Sequence, residues 1–423
     1  MFTLKNFVLL FKNLGHNEYK RFILDSIQVA KISSLIAKEY PILNHRNVYV
    51  LGLSHNVGHF LRDFNEILSL KSMEEIEKLS KTQIHSLASY YLLKRVRFFD
   101  EEEIESVLYH HSDFSFENKT RVIGSILKLA DMIAHEFSRI ETFDDYAIVL
   151  PNLWRKIERL KIPNTFKNTV IEILKDYKLI ETLIDDDLHL ELLESSIEIP
   201  IEIDSSVEMA KIMSLMQGMR SYTTRNHISI VARVSQKIAE SYLGKYDGKI
   251  LKIAGYFHDI GKLKVPLKVL HKKRSLTQEE WILMRKHVVD TSEILINSGL
   301  KYLAEICAAH HERLDGSGYP FGLKGDEMFC YQRLLQVSDV YSALIENRPY
   351  RKALNYKEAL NFLKSEVKRD RLDEKYVNEL ENLVKSDSTL QRASFEDVLE
   401  DIFEEDYKKI RHELPEVVSR LVG

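Results

Sequence analysis

Apolar residues along this 423-residue chain recur mainly at helical spacing. In ISIVARVSQKIAESYL (228–243), Ile228, Val231, Val234, Ile238 and Tyr242 fall three to four residues apart, on one face of a helix. The N-terminal MFTLKNFVLLFKNLG reads as an amphipathic first helix. Its apolar run is short for a signal peptide, and no small-residue cleavage site follows. One stretch breaks the pattern. In SSIEIPIEIDSS (195–206), Ile197, Ile199, Ile201 and Ile203 alternate around Pro200. That reads as extended chain, because proline cannot sit inside a helix. Residues 196–206 are therefore the expected linker between a domain at 1–195 and a domain at 207–423. The expected fold class is all-α, with two tandem helical bundle domains.

The two halves read as copies of each other. DSIQVAKISSLIAKEY begins at Asp25 and HISIVARVSQKIAESY at His227, with Val29, Ala30 and Ile36 matching Val231, Ala232 and Ile238. SHNVGH (54–59) then matches FHDIGK (257–262), His85 matches His287, His110–His111 matches His310–His311, and Asp131 matches Asp339. An ordered series of such matches is much stronger than one shared histidine pair. The copies diverge after the pair: the second has a glycine loop that the first lacks.

Composition narrows the chemistry. A hydrophobic content of 44% and a charged content of 29% are those of an ordinary globular protein. A net charge of −4 provides no global field for a nucleic-acid polymer, so any anion site must be local. Cys307 and Cys330 are the only cysteines, which excludes a disulfide framework and a cysteine-based zinc module and fits a reducing cytoplasm. Charges interrupt every apolar stretch, so no membrane span is expected.

His227, His258, Asp259, His287, His310, His311 and Asp339 are spaced roughly one per helix, as in bundles that converge inward side chains on a metal. Seven ligands exceed one tetrahedral zinc. Imidazole and carboxylate without thiolate suit two first-row divalent ions, iron or manganese. Asp259 is the natural bridge, since a carboxylate can touch both. His271, His45, His189 and His412 are expected at the surface. Lys262, four residues after His258, is expected on the same helix face, with its ammonium toward the centre. The chain has only 15 glycines, and four of them (Gly316, Gly318, Gly322 and Gly325) follow the second histidine pair. Glycine permits positive φ and close backbone approach, which suits a loop held against something other than protein.

HDIGK (258–262), HHERLDGSGYP (310–320) and SDVYSALIENRPYR (338–351) closely resemble the HD-GYP phosphodiesterases, a branch of the HD superfamily. The resemblance covers roughly residues 210–385 and implies two HD-type domains, the second catalytic. It implies hydrolysis of cyclic di-GMP to linear pGpG, with or without further cleavage to GMP, by a metal-bridged hydroxide. It assigns the seven residues above as metal ligands, with Asp259 and Lys262 as catalytic groups. Gly318, Tyr319 and Pro320 are expected at the pocket rim, with Arg313 and Asp315 of the same loop, and Lys262, Arg348 and Arg351 on substrate phosphate or guanine. Some family members hold a third metal through a Glu one turn before the first His. Thr223 stands there, so two metals are expected. Two alternatives remain: hydrolysis of another nucleotide such as cyclic GMP-AMP, and a non-catalytic scaffold controlled by cyclic di-GMP.

The first half departs from the pattern at Asp25, Asn56 and His59, which replace the first His, the bridging Asp and Lys262. It reads as a retired catalytic domain kept for packing, sensing or formation of a homodimer. The alternative is a one-metal site on His85, His110 and His111.

Overall fold

The computed structural model describes residues 2–14, 20–60, 79–184, 198–220, 222–347, 352–391 and 406–422. The chain is all-α. Sheet is confined, among the described residues, to two paired two-residue strands, Phe2–Thr3 and Pro200–Ile201. Among the described residues, the alternating isoleucines give only a short strand. From Ile203 the chain is already helical, with Glu202 O accepting from Ser206 N at 2.9 Å, so the expected linker ends inside a first helical turn.

The chain forms two compact units. One holds residues 17–200 with 3–5 and 408–423; the other holds 201–407 with 1–2 and 6–16. The change of unit in mid-chain falls inside the expected linker, but the chain ends lie opposite to their sequence order. The expected helix at the N-terminus forms at Leu4–Asn13. Its residues Asn6 and Asn13 bond Ser298 through the carbonyl and the hydroxyl, each at 3.0 Å. Asx and amide side chains of this kind fix an amphipathic helix whose apolar face is already buried: Phe7, Val8 and Leu10 are almost inaccessible.

In the unit built on 17–200, here the first unit, the helices Lys20–Ala37, His45–Ser54, Lys81–Leu93 and Lys119–Phe137 surround a core of Val29, Ile32, Val48, Leu87, Ile123 and Ile126. In the second unit, Tyr222–Tyr242, Lys245–Phe257, Gln278–Asn297 and Cys330–Ile345 do the same around Val231, Ile253, Val288 and Val337. The helices that carry His85 and His287 start at capping boxes, Ser80 with Gln83 and Thr277 with Glu280, which satisfy otherwise orphaned N–H groups.

The internal repeat extends to backbone packing. A Cβ added at Gly261 would lie 2.0 Å from His287 O, and one at Gly58 would lie 2.1 Å from His85 O. Each glycine N–H donates to a hydroxyl one turn further along that helix, Thr291 or Ser89, at 2.9 Å. Only glycine allows this approach. It seats the histidine-bearing helix directly on the turn after the His-Asp or His-Asn pair.

Candidate metal centre

Four segments bring the five histidines into the second unit's centre, His310 and His311 sharing one. The helix Tyr222–Tyr242 carries His227, and Gln278–Asn297 carries His287. His258 and Asp259 follow the end of Lys245–Phe257; His310 and His311 follow Lys301–Cys307; Asp339 lies on Cys330–Ile345. All seven expected ligands are brought together. Asp259 Oδ2 lies 3.2 Å from His258 Nε2 and 3.8 Å from His227 Nε2. Its Oδ1 faces the other way, 3.2 Å from His287 Nε2 and 3.7 Å from His310 Nε2. Asp339 Oδ1 lies 3.0 Å from His227 Nε2, and its Oδ2 lies 3.6 Å from His311 Nδ1.

The outer ring nitrogens are tied down. His258 Nδ1 donates to Gly255 O at 2.8 Å and His310 Nδ1 to Cys307 O at 2.6 Å, while His287 Nδ1 donates to Met284 O. A proton held on Nδ1 leaves an Nε2 lone pair pointing inward, as ligating histidines require. Those Nε2 atoms of His258, His287 and His310, and Asp259 Oδ1, are buried without a hydrogen bond. Buried polar atoms normally find partners. Four that converge on one space fit divalent cations, and their mixed nitrogen and oxygen donors suit first-row metals.

The electrostatics agree. Burial would raise the pKa of Asp259, but Lys262 and His258 outweigh it and hold the carboxyl well below its usual range. Asp339 is held low in the same way, by His227 and His311 against burial. Burial, reinforced by His258, lowers His310 to about 3, and burial with His310 lowers His311. His227 goes the other way. Burial works against its charge, yet Glu346 and Asp339 push it up to about 9.

Lys262 does not extend the His258 helix. Asp259 takes φ −107° and ψ 10°, and Ile260–Lys264 forms a 3-10 turn. The turn still brings the Lys262 ammonium onto Asp259 Oδ2. Arg348 and Arg351 lie outside the described residues, as does the side chain of Thr223. Of the expected surface histidines, His271 is exposed and His45 half-buried, while His189 and the side chain of His412 lie outside the described residues.

The glycine loop abuts the centre. Tyr319 N donates to His311 O at 3.2 Å, and the two rings lie 4.8 Å apart. Gly316 has φ +78°, and Gly318 passes so near Glu312 that an added Cβ would meet its Cα at 2.3 Å. The Tyr319–Pro320 peptide is cis. Arg313 half-turns back, its guanidinium donating to Glu312 O at 2.6 Å. Asp315 is not brought to the centre: it accepts from Ser317 N at 2.9 Å and from Arg371 Nε at 3.1 Å, so it braces the loop.

Three residues escaped the sequence reading. Glu346 Oε1 lies 3.0 Å from His227 Nδ1. It is seven residues after Asp339, two turns along the same helix face, which was the available signal. Buried Glu312 accepts from Phe321 N at 2.7 Å and Leu323 N at 3.0 Å and so anchors the loop. Arg285, two residues before His287 on the same helix, lies 4.6 Å from the Tyr319 ring.

The first unit repeats part of this frame. His55, His85, His110, His111 and Asp131 gather there, with His55 Nε2 3.7 Å from Asp131 Oδ1. Asn56 Oδ1 and Asp25 Oδ1 are buried without a hydrogen bond.

Models of the HD domain match residues 209–376 and residues 24–135. The chain belongs to the HD-domain family, with one such domain in each half. It is 27% identical over 351 residues to 3′3′-cGAMP-specific phosphodiesterase 1 of Vibrio cholerae, over 77% of this chain and 78% of the relative. It is 41% identical over 112 residues to a cyclic di-GMP phosphodiesterase of Pseudomonas aeruginosa, over 26% of this chain and 27% of the relative. The crystal structure of V-cGAP3, a cyclic GMP-AMP specific phosphodiesterase of Vibrio cholerae, superposes with a TM-score of 0.57 at 17% identity, covering 90% of this chain and 98% of that one, a likeness of fold. No described helix is long and apolar enough to cross a membrane.

Proposed function

We propose that the second unit is a metal-dependent phosphodiesterase that opens a cyclic dinucleotide, and that cyclic di-GMP is its substrate, with linear pGpG as product. The observation that carries this reading is the convergence of three buried, unpartnered Nε2 atoms and Asp259 Oδ1 beside the Gly318-Tyr319-Pro320 loop. Divalent ions bound there would supply Lewis acidity and an acidified water for attack on phosphorus. The seven residues named above would hold them. Asp259 presents one oxygen to each side, which suits two ions, iron or manganese.

The remaining groups serve the substrate. Lys262 keeps Asp259 ionised and adds positive charge near the phosphate. Arg313, Tyr319 and Pro320 shape the rim, with Arg285 held against the Tyr319 ring and Arg348 and Arg351 as further phosphate contacts. Gly318 lets the loop lie close, and Asp315 keeps it folded through Arg371. Two free cysteines, Cys307 buried and Cys330 half-buried, fit a reducing cytoplasm.

A second substrate is favoured by one observation. The relative that aligns across both halves is named for 3′3′-cGAMP. Anaerobic purification, metal analysis and turnover of cyclic di-GMP and 3′3′-cGAMP side by side test both. A metal-loaded protein that hydrolyses neither sinks the proposal.

A further inference from the structure

The first unit lacks the bridging carboxylate yet keeps three imidazoles in contact. His85 Nε2 lies 3.1 Å from His110 Nε2 and 3.1 Å from His111 Nε2. The ligand atoms of all three lie within 4.8 Å of one another. We infer that His85, His110 and His111 bind a single divalent ion of the zinc class through these nitrogens, as a site separate from the centre of the second unit.

Proton counting supports this. His110 Nδ1 lies 2.6 Å from Val107 O, an acceptor only, so that nitrogen carries the proton and Nε2 carries a lone pair. His85 Nδ1 is buried without a partner. If His85 is protonated at Nε2, that one hydrogen serves His110 or His111 but not both. If it is protonated at Nδ1, its Nε2 lone pair faces that of His110. Either way one 3.1 Å nitrogen pair has no proton between its members. A cation accepts all three lone pairs at once. Zinc–nitrogen bonds of about 2.0–2.1 Å at tetrahedral angles place ligand nitrogens about 3.3 Å apart, so the two 3.1 Å pairs need only a slight expansion.

Donor chemistry sets the class. The second unit presents Asp259 and Asp339 among its histidines. Here Asn56 replaces the bridge, and Asp131 lies toward His55. Neutral imidazoles favour zinc, copper or nickel over magnesium or manganese. His111 is half-exposed and lines a cavity of about 570 Å³ with Ser112, Asp113, Glu117 and Arg121, which gives the ion an entry path and leaves one coordination position open to a water or small anion.

The test uses the full chain, stripped by chelator and titrated with zinc(II). Wild type is expected to bind one equivalent more than His111→Ala and one more than His85→Asn, with affinity at that position reduced on the order of a hundredfold. His111 is half-exposed, so its truncation is the gentler change; circular dichroism confirms folding. A third arm needs no variant: zinc, but not magnesium, protects His111 of the wild type from diethyl pyrocarbonate, read by peptide mass spectrometry. Equal zinc content in wild type and folded variants, or equal modification of His111 with and without zinc, overturns the site. Neither readout depends on turnover, so failure here is distinct from failure of the phosphodiesterase reading.

Discussion

Glu346 and His227 form a buried pair, Oε1 to Nδ1 at 3.0 Å, while the other ring nitrogen of His227 lies 3.0 Å from Asp339. The imidazole is held at both ends by carboxylates from one helix and its C-cap. Glu346 therefore sets the orientation and basicity of His227 without facing the centre itself.

Glu346→Gln is expected to weaken metal binding about 10- to 100-fold, the usual effect of removing an outer partner of a ligating histidine. Glu346→Asp should fall between. Titration of the stripped protein with manganese(II) checks this. An unchanged affinity in Glu346→Gln would show that Asp339 alone fixes the ring.

Asp259→Asn should abolish turnover and release at least one ion, since it puts into the second unit the amide that Asn56 already is in the first. Asn56→Asp should not create turnover in the first unit, which has neither Lys262 nor the glycine loop. Near-normal metal content and kcat in folded Asp259→Asn would remove the bridging role.

Gly261→Ala places a methyl 2.0 Å from His287 O and 2.6 Å from Thr291 N, so the turn or the helix must shift. The expected loss of stability is about 1–3 kcal/mol or more, with a drop in bound metal because His287 moves. Urea denaturation and metal analysis of the variant measure both. Wild-type values in both would mean the turn relaxes freely.

Lys31 gives the first unit a dependence on pH. It is buried, with Nζ donating to Thr182 Oγ1 at 3.3 Å, and burial lowers its pKa to about 8. The folded form thus binds its proton less tightly than the unfolded chain. The penalty is full below about pH 8 and fades as pH rises toward the unfolded value of 10.5. Lys31→Met should stabilise the protein at pH 7 by on the order of 2–3 kcal/mol, with the gain shrinking by pH 10. Thermal melts at the two pH values decide; a gain that is absent or constant with pH contradicts the assignment.

Much of this centre is legible in the chain. His258-Asp259 and His310-His311 are adjacent pairs, and helical spacing places His227, His287 and Asp339 on inward faces. What is not legible depends on tertiary partners. Nothing local says that Asp315 is taken by Arg371 or that Glu312 gathers the loop amides. The helix stops before His258, so Lys262 reaches Asp259 through a 3-10 turn rather than along one helix face. Isoleucine alternation around Pro200 overstates the strand, because helix resumes at Ile203.

The interchange of chain ends bears on the order of synthesis. The first unit includes residues 408–423: Leu421 O accepts from Gln83, Lys94 pairs with Glu413 at 2.7 Å, and Arg420 with Glu105 at 2.9 Å. A ribosome makes residues 17–200 before 201–407 but must finish residues 201–407 before it delivers the helix that completes the first unit. The unit built on 17–200 is thus the later one to be completed, and a chain truncated before residue 408 loses part of it.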